Sequence, residues 1–480
     1  MTDILKLYVS SGNSVAADNL LTKFLTSSYK QLCLFFFIYL TNISILLETP
    51  TDEQRHLHVQ AHLNATSLDT LPVSALELLH RYEGQNIPAP MQTYTSVITS
   101  LFSRSTSLAR AQGWDIFAHM RYVAHPKPDV LLYTLMIRAC ASPVNTRYPS
   151  EPEKALDLWT EMTQDQKITP TVGSYNAIIL ACARSGTKTY VNEALRLAKQ
   201  MLDSHRDAHG FPAFRPDRKT FCALLEGTKR IGDLGRARWI LAEMVRGRGV
   251  DTNEETDTDK NMQVEIDEEV MMHMFHAYAT YRPPFQRAAT KVLDEQPTPG
   301  QQQQQPVSQP TITNTVIEAD DAPSFSHVPP QSRSEVIREV KILLQRIIED
   351  RNSTDSTATA TASLPFSNRE FKNVDITTRL IASYLSVFYR HASLETSREV
   401  FWKIFEEHGV VRSLRVYVEA LERCANTRRG LERIVALKFA DELWLKWREI
   451  EQALKTDDRK LSDPRLVERA HVAMVRVLAV

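Results

Sequence analysis

The stretch GWDIFAHM, from Gly113 to Met120, decides the fold. A small residue is followed by apolar side chains three, four and seven positions on: Gly113, Ile116, Phe117 and Met120. At 3.6 residues per turn those four side chains share one helical face. One such helix carries little information, because any core helix shows the same stripe. The stripe recurs, as Ala155-Leu158-Trp159-Met162 in ALDLWTEM, Ala194-Leu197-Ala198-Met201 in ALRLAKQM and Ala237-Ile240-Leu241-Met244 in ARWILAEM. Looser copies run from Ala17 to Phe24, Ala75 to Tyr82, Ser397 to Ile404 and Ala440 to Trp447. Recurrence in one register is the mark of a repeat array.

A second helix precedes each clear copy. Its aromatic starters are Tyr94, Tyr133, Tyr175 and Phe221, in TYTSVITS, LYTLMIRAC, SYNAIILAC and TFCALLEG, each followed by its own apolar stripe. Proline-bearing turns separate the pairs: PKPD ending at Asp129, ITPT at Thr171 and FRPD at Asp217. Proline stops the preceding helix and presets the start of the next. The unit is helix, turn, helix, turn. Neither helix can bury its stripe alone, so stacking neighbours into one continuous core predicts an all-α solenoid.

This unit resembles the pentatricopeptide repeat, nominally about 35 residues long. The family pattern has an aromatic residue at its fourth position, a small polar residue at its fifth, the small-to-Met face in its second helix and Pro-Asp at its end. Repeats beginning at Met91, Val130, Val172 and Arg218 carry most of these marks. The resemblance implies a right-handed α-solenoid that binds single-stranded RNA, about one base per repeat, read by two or three side chains. Carried onto this sequence, the fifth and last positions pair Thr95 with Asp129, Thr134 with Thr171, Asn176 with Asp217, and Cys222 with Thr252. Family patterns favour guanine for Thr-Asp and uracil for Asn-Asp, while Thr-Thr and Cys-Thr fall outside the usual combinations. Arg138, Arg184, Lys219, Lys229 and Arg230 are candidates for phosphate contacts. Mitochondrial localisation, and a role in RNA processing, stability or translation, rest on the same resemblance.

The sequence departs from the family's regularity. The aromatic starters at 94, 133, 175 and 221 are spaced more widely than the nominal repeat, the excess lying in turns such as SPVNTRYPSEP and SHRDAHGFPAF. The four clear repeats span 91–252. Weaker helical repeats are expected over 1–90 and 334–480, an acidic segment and helix over 253–282, and a disordered Pro/Gln-rich linker over 283–333. One repeat is expected to have its first helix near EEVMMHMFHAYATY and its second beyond that linker. The last helix, RLVERAHVAMVRVLAV, is expected to have no partner, as in a fragment.

The formal net charge of −1 conceals segregation, with 22 Lys and Arg against 14 Asp and Glu over 91–250, and 4 against 14 over 251–330. The five cysteines show no C-x-x-C spacing, so they read as small buried thiols rather than a zinc or redox motif. No secretory signal or arginine-rich presequence is visible. LCLFFFIYLTNISILL, inside an anomalous apolar insert at 28–48, falls short of a usual membrane span and reads rather as translated intron. A membrane partner is therefore not expected.

No phosphate-binding glycine loop, nucleophile elbow or paired-carboxylate constellation is present, so no enzymatic activity, cofactor or small-molecule substrate is expected. His58 and His62 lie one helical turn apart, but the local sequence offers no third ligand and no metal is expected. The rival to RNA binding is a protein-binding scaffold, such as a mitochondrial assembly factor or a ribosome-associated subunit, since solenoids present long surfaces to either partner.

Overall fold

The computed structural model describes residues 2–23, 50–104, 106–143, 149–204, 214–246, 264–284, 329–355, 370–427, 430–456 and 463–479. Among these residues there are helices and turns and no β-strand. The chain forms two compact units, Met1–Gly227 and Thr228–Val480.

In the first unit helices follow one another in pairs. They are α1 (Thr2–Ser11) and α2 (14–23), α3 (Asp52–Ala65) and α4 (Val73–Gly84), α5 (Met91–Ser103) and α6 (Ser107–Val123). Next come α7 (Val130–Cys140) and α8 (Pro152–Thr160), α9 (Val172–Arg184) and α10 (Lys188–Asp203), then α11 (Arg218–Ile231), within which the unit ends. First helices stack in chain order, α1 on α3, α3 on α5, α5 on α7 and α7 on α9, while α4, α6, α8 and α10 each pack on the first helix of their own pair. That is the solenoid arrangement.

The recurring stripe is what the stack buries. Gly113, Ile116, Phe117 and Met120 are the buried face of α6, and Ala194, Leu197, Ala198 and Met201 that of α10. Ala155, Leu158 and Trp159 do the same on α8, whose last turn widens into a π-helix, Glu161–Asp165, that keeps Met162 buried. The small leading residue has a steric reason. A Cβ on Gly113 would stand 3.1 Å from Phe102 Cε1, so any larger residue there would make the Phe102 ring shift. Gly227 plays a similar part on α11, where a Cβ would meet Ala183 Cβ at 3.1 Å and Val191 Cγ1 at 3.3 Å.

Helix starts are fixed by side-chain caps that satisfy the first turn's unpaired N–H groups. Thr51, Thr106, Asp129 and Thr171 cap α3, α6, α7 and α9, Thr51 and Thr171 as reciprocal capping boxes. The aromatic starters point inward: Tyr94, Tyr133 and Tyr175 are buried. Their hydroxyls need partners there, and Tyr94 donates to Glu83 Oε1 (2.5 Å) and Tyr133 to Glu161 Oε1 (2.7 Å).

The second unit holds α12 (Leu234–Arg246), α13 (Glu268–Thr280), α14 (Arg333–Asp355), α15 (Thr378–His391), α16 (Leu394–Glu407), α17 (Leu414–Ala425), α18 (Leu431–Thr456) and α19 (Pro464–Ala479). It repeats the scheme, with α13 on α15, α15 on α17 and α17 on α19. The faces of α12 (Ala237, Ile240, Leu241, Met244) and α18 (Ala440, Leu443, Trp447) are buried. α13 and α14 pair although 285–328 separate them. The Tyr278 hydroxyl donates to Glu339 Oε2 (3.1 Å) and that of Tyr281 to Pro330 O (3.0 Å).

One expectation is corrected here. α19 is not without a partner: it packs on α17 and α18 through Ala470, Ala473, Met474 and Val477, and Arg469 pairs with Glu422 at 2.9 Å. The apolar insert, the acidic stretch before Val264 and most of the Pro/Gln-rich segment lie outside the described residues. Among the described residues no helix is long and apolar enough to cross a membrane.

Candidate nucleic-acid interface

The fifth-position residues sit on the first turns of α5, α7, α9 and α11, helices that begin at Met91, Val130, Val172 and Arg218. Stacking brings these starts together, as direct hydrogen bonds show. Asn176 Nδ2 donates to Asp217 Oδ1 at 2.9 Å, across the junction between α9 and α11. Thr220 completes the junction: its hydroxyl donates to Asn176 Oδ1 (2.6 Å) and its backbone N–H to Asp217 Oδ1 (2.8 Å). Asp217 thus meets the next helix start and the preceding repeat's fifth residue through one oxygen.

The junction between α7 and α9 is built alike. Thr134 Oγ1 lies 2.8 Å from Ser174 Oγ, and Ser174 Oγ lies 3.0 Å from Thr171 Oγ1, the N-cap of α9. Thr134 reaches its last-position partner only through buried Ser174.

Between α5 and α7 the junction is open. Thr95 donates to Met91 O within its own helix (3.2 Å), and Asp129 accepts from Leu132 N (2.8 Å). The third residue of α7 is the apolar Leu132, where α9 has Ser174 and α11 has Thr220, so nothing bridges the pair.

The fourth pair fails differently. Cys222, expected at the interface, is buried in α11, and Thr252 lies outside the described residues. Burial also accounts for the other thiols: Cys140 and Cys182 are pushed up to about 12 by loss of solvent, so both are held as thiols.

The basic candidates divide. Arg138 and Lys219 are exposed, at the end of α7 and the start of α11. Arg184 is already engaged within the protein: its Nη1 donates to Ala141 O (3.2 Å) and Ser142 Oγ (3.0 Å), closing the C-terminus of α7. It braces α7 and α9 while remaining half-exposed. In the second unit Lys229 Nζ is 3.2 Å from His273 Nδ1, while Arg230 lines a 630 Å³ cavity with Arg282, Arg390 and Tyr389. α5 carries no charged residue at all, so Arg138 near the end of α7 and Lys219 at the start of α11 are separate points of positive charge.

Two clusters near the N-terminus were not visible as clusters in the sequence. Asp18, from α2, stands with Oδ1 2.7 Å from His58 Nε2 and 3.2 Å from His62 Nε2 on α3. Glu83 Oε2 on α4 lies 2.9 Å from both His80 Nδ1 and His119 Nε2. The missing third partner of the His58/His62 pair is therefore Asp18, 40 residues before His58.

A chain whose described part is stacked helical pairs, with polar residues aligned at their first turns, belongs to the class of α-solenoid repeat proteins. Residues 126–185, covering α7 to α9, match the pentatricopeptide repeat domain. No curated protein matches in sequence. Among solved structures, the pentatricopeptide repeat protein PPR10 from maize is similar over 97% of this chain and 53% of its own, at 16% identity and a TM-score of 0.42. PPR10 in complex with an 18-nt psaJ RNA element is similar over 89% and 50%, at 15% identity and 0.38. The chain spans about half the length of those proteins.

Proposed function

We propose that this chain is an RNA-binding helical-repeat protein that reads single-stranded RNA along the first turns of α5, α7 and α9. The observation that carries this is the hydrogen-bonding capacity left at two junctions. Asn176 spends one N–H on Asp217 and one lone pair on Thr220. An amide has two donors and two acceptor sites, so one of each remains. That edge is complementary to uracil, which offers an N3–H donor beside carbonyl acceptors.

Thr95 and Asp129 present a different edge. The threonine's only proton is committed to Met91 O, and Asp129 is an acceptor throughout. An acceptor-only pair fits guanine, whose N1–H and N2 amino group are donors. These hydrogen bonds support the family preference for guanine at Thr-Asp and uracil at Asn-Asp. Arg138 and Lys219 supply phosphate contacts beside these positions. Action in mitochondria, on RNA processing, stability or translation, is part of the same proposal and rests on the repeat family.

A specific feature favours protein binding as the second reading. Leu131, on the first turn of α7, is 66% exposed, and α5 carries no charged residue. The test is selection from a randomised single-stranded RNA pool by the whole chain at two salt concentrations. Enrichment of guanine and uracil two nucleotides apart supports reading by Thr95 and Asn176. Unselective binding that disappears at about 0.15 M salt is non-specific phosphate attraction and supports the scaffold reading.

A further inference from the structure

We propose that Asp18, His58 and His62 form a binding site for a divalent transition ion of the zinc type, which fastens α2 to α3. Two imidazole nitrogens and one carboxylate oxygen converge there, all within 4.8 Å of one another. Zinc takes His nitrogen and carboxylate oxygen at about 2.0–2.2 Å, often with three protein ligands and a water. His58 and His62 sit one turn apart on α3, so their Nε2 atoms reach one point from one helix face. Both histidines are buried, at 5% and 8% exposure, while the Asp18 side chain is 44% exposed. The site is therefore held from inside and open to solvent on the carboxylate side, where an ion would enter and keep a water.

The surroundings suit an ion in a second way. A metal-binding histidine usually passes its other ring N–H to a nearby acceptor, which fixes tautomer and orientation. His58 Nδ1 lies 2.8 Å from the hydroxyl of Tyr82 on α4. That hydroxyl can donate to Nδ1, leaving an Nε2–H to bond Asp18, or accept from it, leaving Nε2 bare for an ion. Without an ion, one carboxylate oxygen takes both imidazoles; with one, the three donors share a cation.

The Glu83 cluster is the contrasting case. His80 and His119 are 48% and 40% exposed, and the Tyr94 hydroxyl already occupies the second carboxylate oxygen. Its three donors satisfy a buried carboxylate without any ion.

The experiment titrates the full chain, stripped with chelator, with Co²⁺ followed by its visible absorption and with Zn²⁺ followed by calorimetry. The expected result is one saturable ion whose Co²⁺ bands are displaced by Zn²⁺. It is lost in Asp18→Asn and His62→Gln, and retained in His119→Ala. Tyr82→Phe, which keeps every direct ligand, is expected to weaken binding roughly 10–100-fold. Failure of the unaltered chain to bind either ion overturns the proposal, whatever the variants do. Binding that survives in folded Asp18→Asn and His62→Gln but disappears in His119→Ala also overturns it, and moves the site to Glu83.

Discussion

Phe117 and Tyr122 are five residues apart on α6 and give the sharpest test of the packing scheme. Phe117 is 4% exposed and Tyr122 is 90% exposed. The Phe117 ring meets Tyr133 of the next repeat edge-on, with centroids 6.5 Å apart, and Trp114 of its own helix at 6.4 Å. Removing about 120 Å² of ring area at roughly 25 cal/mol/Å² costs about 3 kcal/mol. Lost aromatic geometry adds about 0.5–1.5 kcal/mol, so Phe117→Ala should destabilise by about 3–5 kcal/mol, the usual range for such truncations. Tyr122→Ala should change stability by no more than about 0.5 kcal/mol. Urea unfolding followed by circular dichroism measures both. Because a solenoid's repeats touch only their neighbours, amide exchange in Phe117→Ala should quicken first in α5 to α8. A cost below about 1 kcal/mol for Phe117→Ala, or equal costs for the two variants, would refute the assignment of this face to the inter-repeat core.

Other consequences follow from particular side chains. Arg138→Ala should lower the salt slope of RNA affinity by about one, whereas Arg184→Ala should leave the slope unchanged and cost about 1–2 kcal/mol of stability; salt titrations and melts of both variants separate these roles. His391 is buried with Nε2 2.9 Å from Tyr278 O and Nδ1 without a hydrogen-bond partner, and burial lowers its pKa. A lowered imidazole pKa means that the unfolded chain takes up the proton first. The stability it contributes is present above about pH 6.5 and is lost as pH falls below that value. Melting the chain between about pH 7.5 and 5.5 should show this loss, and His391→Gln should reduce it. Native Cys140 and Cys182 should resist a thiol reagent that labels them readily in denaturant; labelling in the native state would contradict their burial.

The architecture was legible because it is local and periodic. The 0, 3, 4, 7 spacing around Met120, Met162, Met201 and Met244 needs no knowledge of the rest of the chain, and proline turns mark where each helix begins. The bound state of the fifth-position residues was not legible. Whether Asn176 is bridged and Thr95 is open depends on the third residue of the following helix, Thr220 in one case and Leu132 in the other. Arg184 looked like a surface cation because its partners, Ala141 and Ser142, are set by where α7 stops. Cys222 holds a polar position by count but is buried by its neighbours. The Asp18 cluster is the clearest loss, since its carboxylate and its histidines come from different repeats and meet only through stacking of α1 and α2 on α3.

The most direct measurement concerns Thr95. Changing it to asparagine beside Asp129 adds an N–H donor to an edge that otherwise only accepts. In selections from a randomised RNA pool, Thr95→Asn should shift preference at one nucleotide from guanine to uracil and leave the position read by Asn176 unchanged. Base preference that is identical in the two proteins at every nucleotide would contradict the claim that these first-turn side chains read RNA.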